Sequence, residues 1–372
     1  MTTRYRGKIR FWEMWNEPDF SGSKFNSDEY AEMMKRAYQA AKKADPEVVV
    51  LSGGFATVKE HPSKKKDFHE EALVKGRGFF DVHAYHEHGR FATYRAAAES
   101  RFFPMRERTR TAVPWYANET AINSLGGNEH LQAVTLFEKL IYSWGRGSIG
   151  YNWYDLRNDG FDAGNGEHHY GMITNDFYPK AVYAAYNTMT GLYGHARFLR
   201  QLNVGDGLWA FLFAADGGLL VAGWNESIRG GTVPILLETD AKSAEIVDLM
   251  GNRRNCPVSN GVALLEIGSN PATLRLSDAT KCEAAGSLID LESLPPVLAG
   301  SSLPVVIRLR NVFPKPCEFN LKLGLPDGVL AEPATGTVTV PAGQQSSCDT
   351  ETARSGAHHE LRESASRLLF PL

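Results

Sequence analysis

Arg10-Phe11-Trp12-Glu13-Met14-Trp15-Asn16-Glu17-Pro18 reads as a strand that stops at an acid. Residues 8–15 are rich in aromatic and apolar side chains, the pattern of a strand buried on both faces. Pro18 has no N–H to give a sheet ladder, so pairing ends there. Glu17 therefore falls at the strand's carboxyl end. In sheets built from strand–helix units reactive side chains collect at that end, because the loops there open into the pocket. By itself Glu17 suits a cap on the following turn equally well. A second stretch decides between the two readings: Val113-Pro114-Trp115-Tyr116-Ala117-Asn118-Glu119-Thr120 again runs through apolar and aromatic residues into a glutamate. Cleavage of a glycosidic bond needs such a pair, one carboxyl protonated to assist the leaving oxygen and one ionised to attack or to activate water. The interval between them holds about two or three further strand–helix units at roughly 30 residues each.

Trp15-Asn16-Glu17-Pro18 resembles the acid/base signature at the end of barrel strand four in the clan of retaining glycoside hydrolases with a (β/α)8 barrel, and Asn118-Glu119 falls where that clan places its nucleophile, at the end of strand seven. Within the clan the chain is similar to family 39, the xylosidase and iduronidase group. That narrower likeness rests on residues 11–18, on His83-Ala84-Tyr85, and on Tyr170-Gly171-Met172-Ile173 followed by Tyr178-Pro179-Lys180. The resemblance implies an α/β fold: a partial (β/α)8 barrel, strands four to eight, in residues 1–195. A β-sandwich in 196–280 and a second β-rich, immunoglobulin-like segment in 281–345 follow. Strands one to three are missing from this arrangement, and a barrel of this type takes about 250 residues. The expectation is therefore a truncated chain. Any signal peptide would precede the missing part, which leaves the compartment open and a secreted or periplasmic location consistent.

Composition is that of an ordinary globular protein, with 43% hydrophobic and 22% charged residues over 372 positions, enough for two or three domains. A net charge of −3 and a pI near 6.4 with no basic stripe argue against nucleic acid as a partner. Lys64-Lys65-Lys66 reads as a solvated loop. No run of 18 apolar residues occurs, so no membrane span is expected. Cys256, Cys282, Cys317 and Cys348 all lie in the C-terminal third without a Cys-x-x-Cys pair, which leaves disulfides open and gives no zinc motif.

Along the chain, Asn26 and Glu29 form a capping-box pattern ahead of a helix over 27–44, closed by Asp45-Pro46. Residues 48–54 read as a buried parallel strand with a Gly53-Gly54 exit, 68–75 as a helix and 78–85 as the next strand. His83 and Tyr85 share one face of that strand, and by the resemblance they line the sugar site. His83, His86, His88 and Glu87 make a metal cluster conceivable, but a strand running into a loop fans such side chains apart, and no metal is expected. A helix over 129–144 carries an apolar stripe, Leu131, Val134, Phe137, Leu140, Ile141 and Trp144, and reads as core packing. Residues 148–154 form the last strand. By the resemblance Trp153 is the platform under the sugar, with Tyr151 and Tyr154 as further aromatics. From 196 onward short strands alternate with turns, as in a sandwich. Trp224-Asn225-Glu226 repeats letters of the first motif but lacks the proline. Beyond 345 the sequence turns polar and aperiodic, and 346–372 is expected to be a disordered tail.

The implied reaction is a double displacement with Glu119 as nucleophile and Glu17 as acid and then base, Asn16 holding the sugar 2-hydroxyl. The substrate is a xyloside or related carbohydrate, and no cofactor is required. Transfer to an acceptor sugar in place of water uses the same two carboxylates. Glu13, deeper on the same strand face, would need a partner if buried and reads as structural. The opposing reading is a catalytically incomplete fragment that binds carbohydrate or serves a structural role.

Overall fold

The computed structural model describes residues 1–20, 22–56, 67–226, 231–286, 288–291, 302–323 and 329–354. The Lys64-Lys65-Lys66 loop lies outside them. Five parallel strands follow one another in chain order: β1 (Phe11–Glu13), β2 (Val49–Leu51), β3 (His83–His86), β4 (Trp115–Thr120) and β5 (Ser148–Trp153). β2 meets β3 through bridges Leu51 to Val82 and Phe55 to Tyr85. The helices α1 (Ser27–Ala44), α2 (Phe68–Lys75), α3 (Phe91–Ala97), α4 (Phe103–Arg108), α5 (Glu129–Gly145) and α6 (Ala181–Tyr193) cover one side of this array.

The local chemistry accounts for most of these boundaries. Asn26 accepts the Glu29 N–H at 2.9 Å while Glu29 accepts the Asn26 N–H at 3.0 Å, so the capping box opens α1 as its letters imply. Tyr30 then ties α1 to two strand exits, donating to the Met14 carbonyl at 3.2 Å and accepting the Gly53 N–H at 2.7 Å. Between α3 and α4 a π-helical turn, Ala98–Phe102, breaks the 3.6-residue period, so this stretch carries little helical signature.

One expectation needs correction here. β1 is not buried on both faces: Trp12 and Met14 pack under α1, but Phe11 is 50% and Trp15 55% exposed. β1 pairs only with β2, so nothing among the described residues covers its other edge or its second face.

The rest of the described chain is antiparallel. A six-stranded sheet contains β6 (Arg197–Gln201), β7 (Leu208–Ala215), β8 (Gly218–Asn225), β10 (Ser243–Asp248), β11 (Arg253–Cys256) and β14 (Ala272–Ser277). It shares a core with a four-stranded sheet of β9 (Val233–Thr239), β12 (Val258–Ser259), β13 (Val262–Ile267) and β15 (Cys282–Ala284). Further on, β16 (Ile289–Leu291), β17 (Ser302–Arg310), β19 (Val329–Glu332) and β21 (Gln345–Arg354) form one sheet, and β18 (Cys317–Lys322) pairs with β20 (Thr335–Val340). Residues 346–354, expected to belong to the disordered tail, are part of β21, which pairs with β17 from Gln345 to Ala353; residues 355–372 lie outside the described ones. All four cysteines are free thiols.

β7 and β8 are buried on both faces because their second face, Trp209, Phe211, Phe213 and Trp224, packs on the helical layer. Glu226 locks that contact. Its carboxylate accepts two hydrogen bonds from Arg95 Nε and Nη2, each at 3.0 Å, and one from the Trp209 indole N–H at 2.9 Å. The repeated Trp-Asn-Glu letters thus serve assembly. Glu226→Ala leaves the Arg95 guanidinium with Glu99 as its carboxylate partner at 3.0 Å and the Trp209 indole N–H without its acceptor, and an expected loss of about 1–3 kcal/mol follows. Urea unfolding followed by tryptophan fluorescence measures it; an unchanged midpoint would remove the clamp from the account.

Candidate active site

The strand exits carry the candidate residues. β1 ends in a strained segment, with Trp15 at φ +82° and Glu17 at φ +43°, a region non-glycine residues rarely occupy and that costs about 1–3 kcal/mol per residue. The turn is held in place by the Glu17 N–H donating to the Gly54 carbonyl at 3.1 Å and by buried Asp19, which accepts the Ala56 N–H at 2.9 Å. It aims Glu17 across the strand ends. On β4 the pairing register slips by one residue: Tyr85 faces Ala117, but His86 faces Glu119. The extra residue, Asn118, is a bulge, and it turns Glu119 toward the same space as Glu17.

Glu17 and Glu119 meet over His86. The His86 Nδ1 stands 2.9 Å from Glu17 Oε1 and 3.6 Å from Glu119 Oε2, and one donor atom from each of the three residues lies within 4.8 Å of the other two. The imidazole fits because position 54 is glycine; a Cβ there would overlap the ring. His88 Nε2 lies 3.1 Å from Glu119 Oε1. Burial lifts the Glu119 carboxyl, but the His88 hydrogen bond and the charges of His86 and His88 outweigh it and leave the group below its ordinary value. Glu119 is therefore an anion at neutral pH, and His88 donates to it.

Tyr154 and Tyr170 wall the site on the His88 side, with ring centroids 6.0 and 5.4 Å from the imidazole. Burial, with Asp159, Asp155, Glu167 and Glu119 nearby, pushes the Tyr154 phenol up to about 12, so it remains a neutral donor. On the other side of Glu17 a cleft of about 580 Å³ is lined by Trp15, Asn16, Phe20, Lys24 and Phe25. Glu13 lies on the open face. Withdrawal of its carboxyl end from water raises that group, against the Gly54 N–H it accepts at 2.7 Å.

His83 and Tyr85 lie on the helical side of β3, away from the two carboxylates. His83 is fully buried, its Nε2 2.7 Å from His69 Nε2 and its Nδ1 2.9 Å from Arg106. Tyr85 packs among Tyr94, Phe102 and Trp115 on the helical side. Neither faces the carboxylates, because β3 extends one residue beyond Tyr85 and a one-residue shift exchanges the two faces of a strand. Trp153 packs on the same core with its indole N–H on the Tyr170 carbonyl at 3.2 Å; Tyr154, one residue on, is the ring beside His88. His86 and His88, expected to fan apart, converge on Glu119 instead. Their signal was present in the letters: His86, like Glu17 and Glu119, is a polar residue at or near the exit of a strand.

No family model matches the sequence, and no curated protein does. Solved structures do. A family 39 glycoside hydrolase from Bacteroides cellulosilyticus superposes with a TM-score of 0.57 at 22% identity, over 74% of this chain and 60% of that one. The fold of this chain is similar to that of the enzyme over the matched part. A glucosidase from Croceicoccus marinus (TM-score 0.52, 14% identity, 74% of this chain and 71% of that one) is similar too. So is a family 30 endoxylanase from Clostridium papyrosolvens (TM-score 0.51, 12% identity, 73% and 66%). The chain spans 60% of the length of the family 39 enzyme. Among the described residues no helix is long and apolar enough to cross a membrane.

Proposed function

We propose that β1 to β5 are strands four to eight of a (β/α)8 barrel followed by β-sandwich modules, and that the chain carries the catalytic pair of a retaining glycoside hydrolase. The observation that carries this reading is the convergence of Glu17 and Glu119 on His86, with one carboxylate oxygen of each within 4.8 Å of the other. A retaining pair stands about 5–5.5 Å apart, whereas an inverting pair needs about 6.5–9.5 Å to admit water. In the first step a Glu119 oxygen bonds to the anomeric carbon as the glycosidic C–O bond breaks, and the Glu17 proton passes to the departing oxygen. Water then attacks the same carbon, Glu17 takes its proton, and the ester bond to Glu119 breaks. The cleft lined by Trp15, Phe20 and Phe25 lies beyond the acid and suits a leaving group with an apolar face, a second sugar or an aryl group. Asn16, in the same cleft, is the residue proposed to hold the sugar 2-hydroxyl. Aryl xylosides are the first substrates to try, from the family likeness.

The test is the anomer first released from an aryl glycoside panel, observed by proton NMR before mutarotation. Retained configuration is expected; inverted product would end the double-displacement reading. A second reading is favoured by the open face: Phe11, Trp15 and Ile149 are each at least half exposed, and β1 and β5 each lack a partner on one edge among the described residues. Folded protein that turns over no glycoside would support that reading, an incomplete fragment of such an enzyme.

A further inference from the structure

Helix α5 presents more than the apolar stripe its sequence announces. Gln132, Thr135, Lys139 and Ser143 recur at spacings of three and four, and all are buried. Gln132 donates to the carbonyls of Ile122 and His169 at 2.9 and 3.1 Å, and Ser143 pairs with the Tyr94 hydroxyl at 2.7 Å. The polar face of α5 thus bonds through Gln132 to the loops that follow β4 and β5 and through Ser143 to α3.

Lys139 sits at the centre of that face, fully excluded from solvent. Its ammonium donates to the Glu87 carbonyl at 3.2 Å, Thr120 Oγ1 at 3.1 Å and the Ala121 carbonyl at 3.2 Å, and it lies 5.0 Å from the centre of the Tyr94 ring. Glu87 stands between His86 and His88; Thr120 and Ala121 follow Glu119. The two exits are also bonded to each other, by the Thr120 hydroxyl to the Glu87 carbonyl at 2.7 Å and the Glu87 N–H to the Glu119 carbonyl at 3.2 Å. A buried cation is costly unless its donors are satisfied, so its retention here calls for a local reason.

We infer that Lys139 is a positioning residue: its ammonium pins the exits of β3 and β4 in the register that puts His88 on Glu119. The inference rests on the reading of Glu17 and Glu119 as the catalytic pair only for its kinetic consequence; the hydrogen bond itself is measurable without turnover. Lys139→Met keeps the aliphatic stem and removes the three donors.

The decisive experiment uses the 372-residue chain labelled with ¹⁵N-histidine. In the parent chain Glu119→Gln shifts the His88 Nε2 resonance. In the Lys139→Met background that shift is expected to collapse, and, where the parent chain hydrolyses an aryl glycoside, kcat falls about 10²-fold, the scale of a roughly 1 Å misplacement, with KM within about threefold. A folded Lys139→Met chain whose His88 signal and pH titration match the parent would overturn the inference. If Lys139→Met does not fold, Lys139→Gln keeps a shorter, neutral donor in the same place and leaves the Thr120 bond to Glu87 intact, and a smaller change of the same His88 signal is expected; an unchanged signal there overturns it equally. Absence of turnover from the parent chain would sink the glycosidase reading and leave the NMR result to decide Lys139.

Discussion

Glu119→Ala is expected to abolish hydrolysis of aryl glycosides, by roughly 10⁴- to 10⁶-fold in kcat, the scale set by loss of a covalent nucleophile. Sodium azide is expected to restore turnover and yield a glycosyl azide of inverted configuration. The reason is geometric. Removing the carboxylate opens space on the face of the sugar from which Glu119 attacks, a small anion enters it, and one displacement replaces two. Glu119 suits the role because it is held ionised: the His88 hydrogen bond and the charges of His86 and His88 overcome the lift from burial. A carboxyl depressed in this way is deprotonated at every pH above its lowered value, so the acid limb of kcat/KM should fall below the ordinary carboxylate range. Reaction-progress NMR of the azide product decides the matter. Rescue with retained configuration would point to Glu17 as the attacking group, and no rescue with persisting activity would exclude Glu119 altogether.

The N-terminal half is legible in the sequence where a local rule sets the structure. The Asn26 and Glu29 letters open α1, Gly53-Gly54 ends β2 and makes room for a ring, and Glu17 and Glu119 arrive at one place because each closes a strand. The antiparallel half is legible for a similar reason. β7 and β8 are joined by Asp216-Gly217, a tight turn whose Gly217 sits at φ +78°, so pairing follows from neighbours in sequence. The sequence is silent where one residue decides a face. The lead-in from Gly78 to Val82 looks like strand but pairs only at Val82, so the count along β3 begins late and His83 and Tyr85 move to the helical side. The Asn118 bulge has no letter of its own, yet without it Glu119 would not face His86. Lys139 escaped for a different reason. A lysine in a helix reads as solvated, and only the register of buried Gln132, Thr135 and Ser143 beside it shows a polar face turned inward.

Glu17→Gln should separate the two steps that one residue serves, and the leaving group is the lever. A 2,4-dinitrophenyl glycoside departs without a proton, so its bond to the sugar still breaks and the glycosyl-enzyme on Glu119 accumulates. An alkyl glycoside or disaccharide needs the proton, and its hydrolysis is expected to fall about 10²- to 10⁴-fold, the usual contribution of a general acid. In the second step water lacks its base, so the dinitrophenyl substrate shows a burst followed by slow release. Azide needs no base, and it should relieve that slow step to give a glycosyl azide of retained configuration, opposite to the product expected from Glu119→Ala. The pair of variants thus assigns both carboxylates from stereochemistry alone. The separation of the carboxylates supports this outcome, and so does the cleft beyond Glu17, since a departing group must leave on the acid's side, where Trp15 and Phe25 stand edge to face at 5.0 Å. Equal losses for dinitrophenyl and alkyl leaving groups would show that Glu17 donates no proton; it would then be a group that only shapes the pocket.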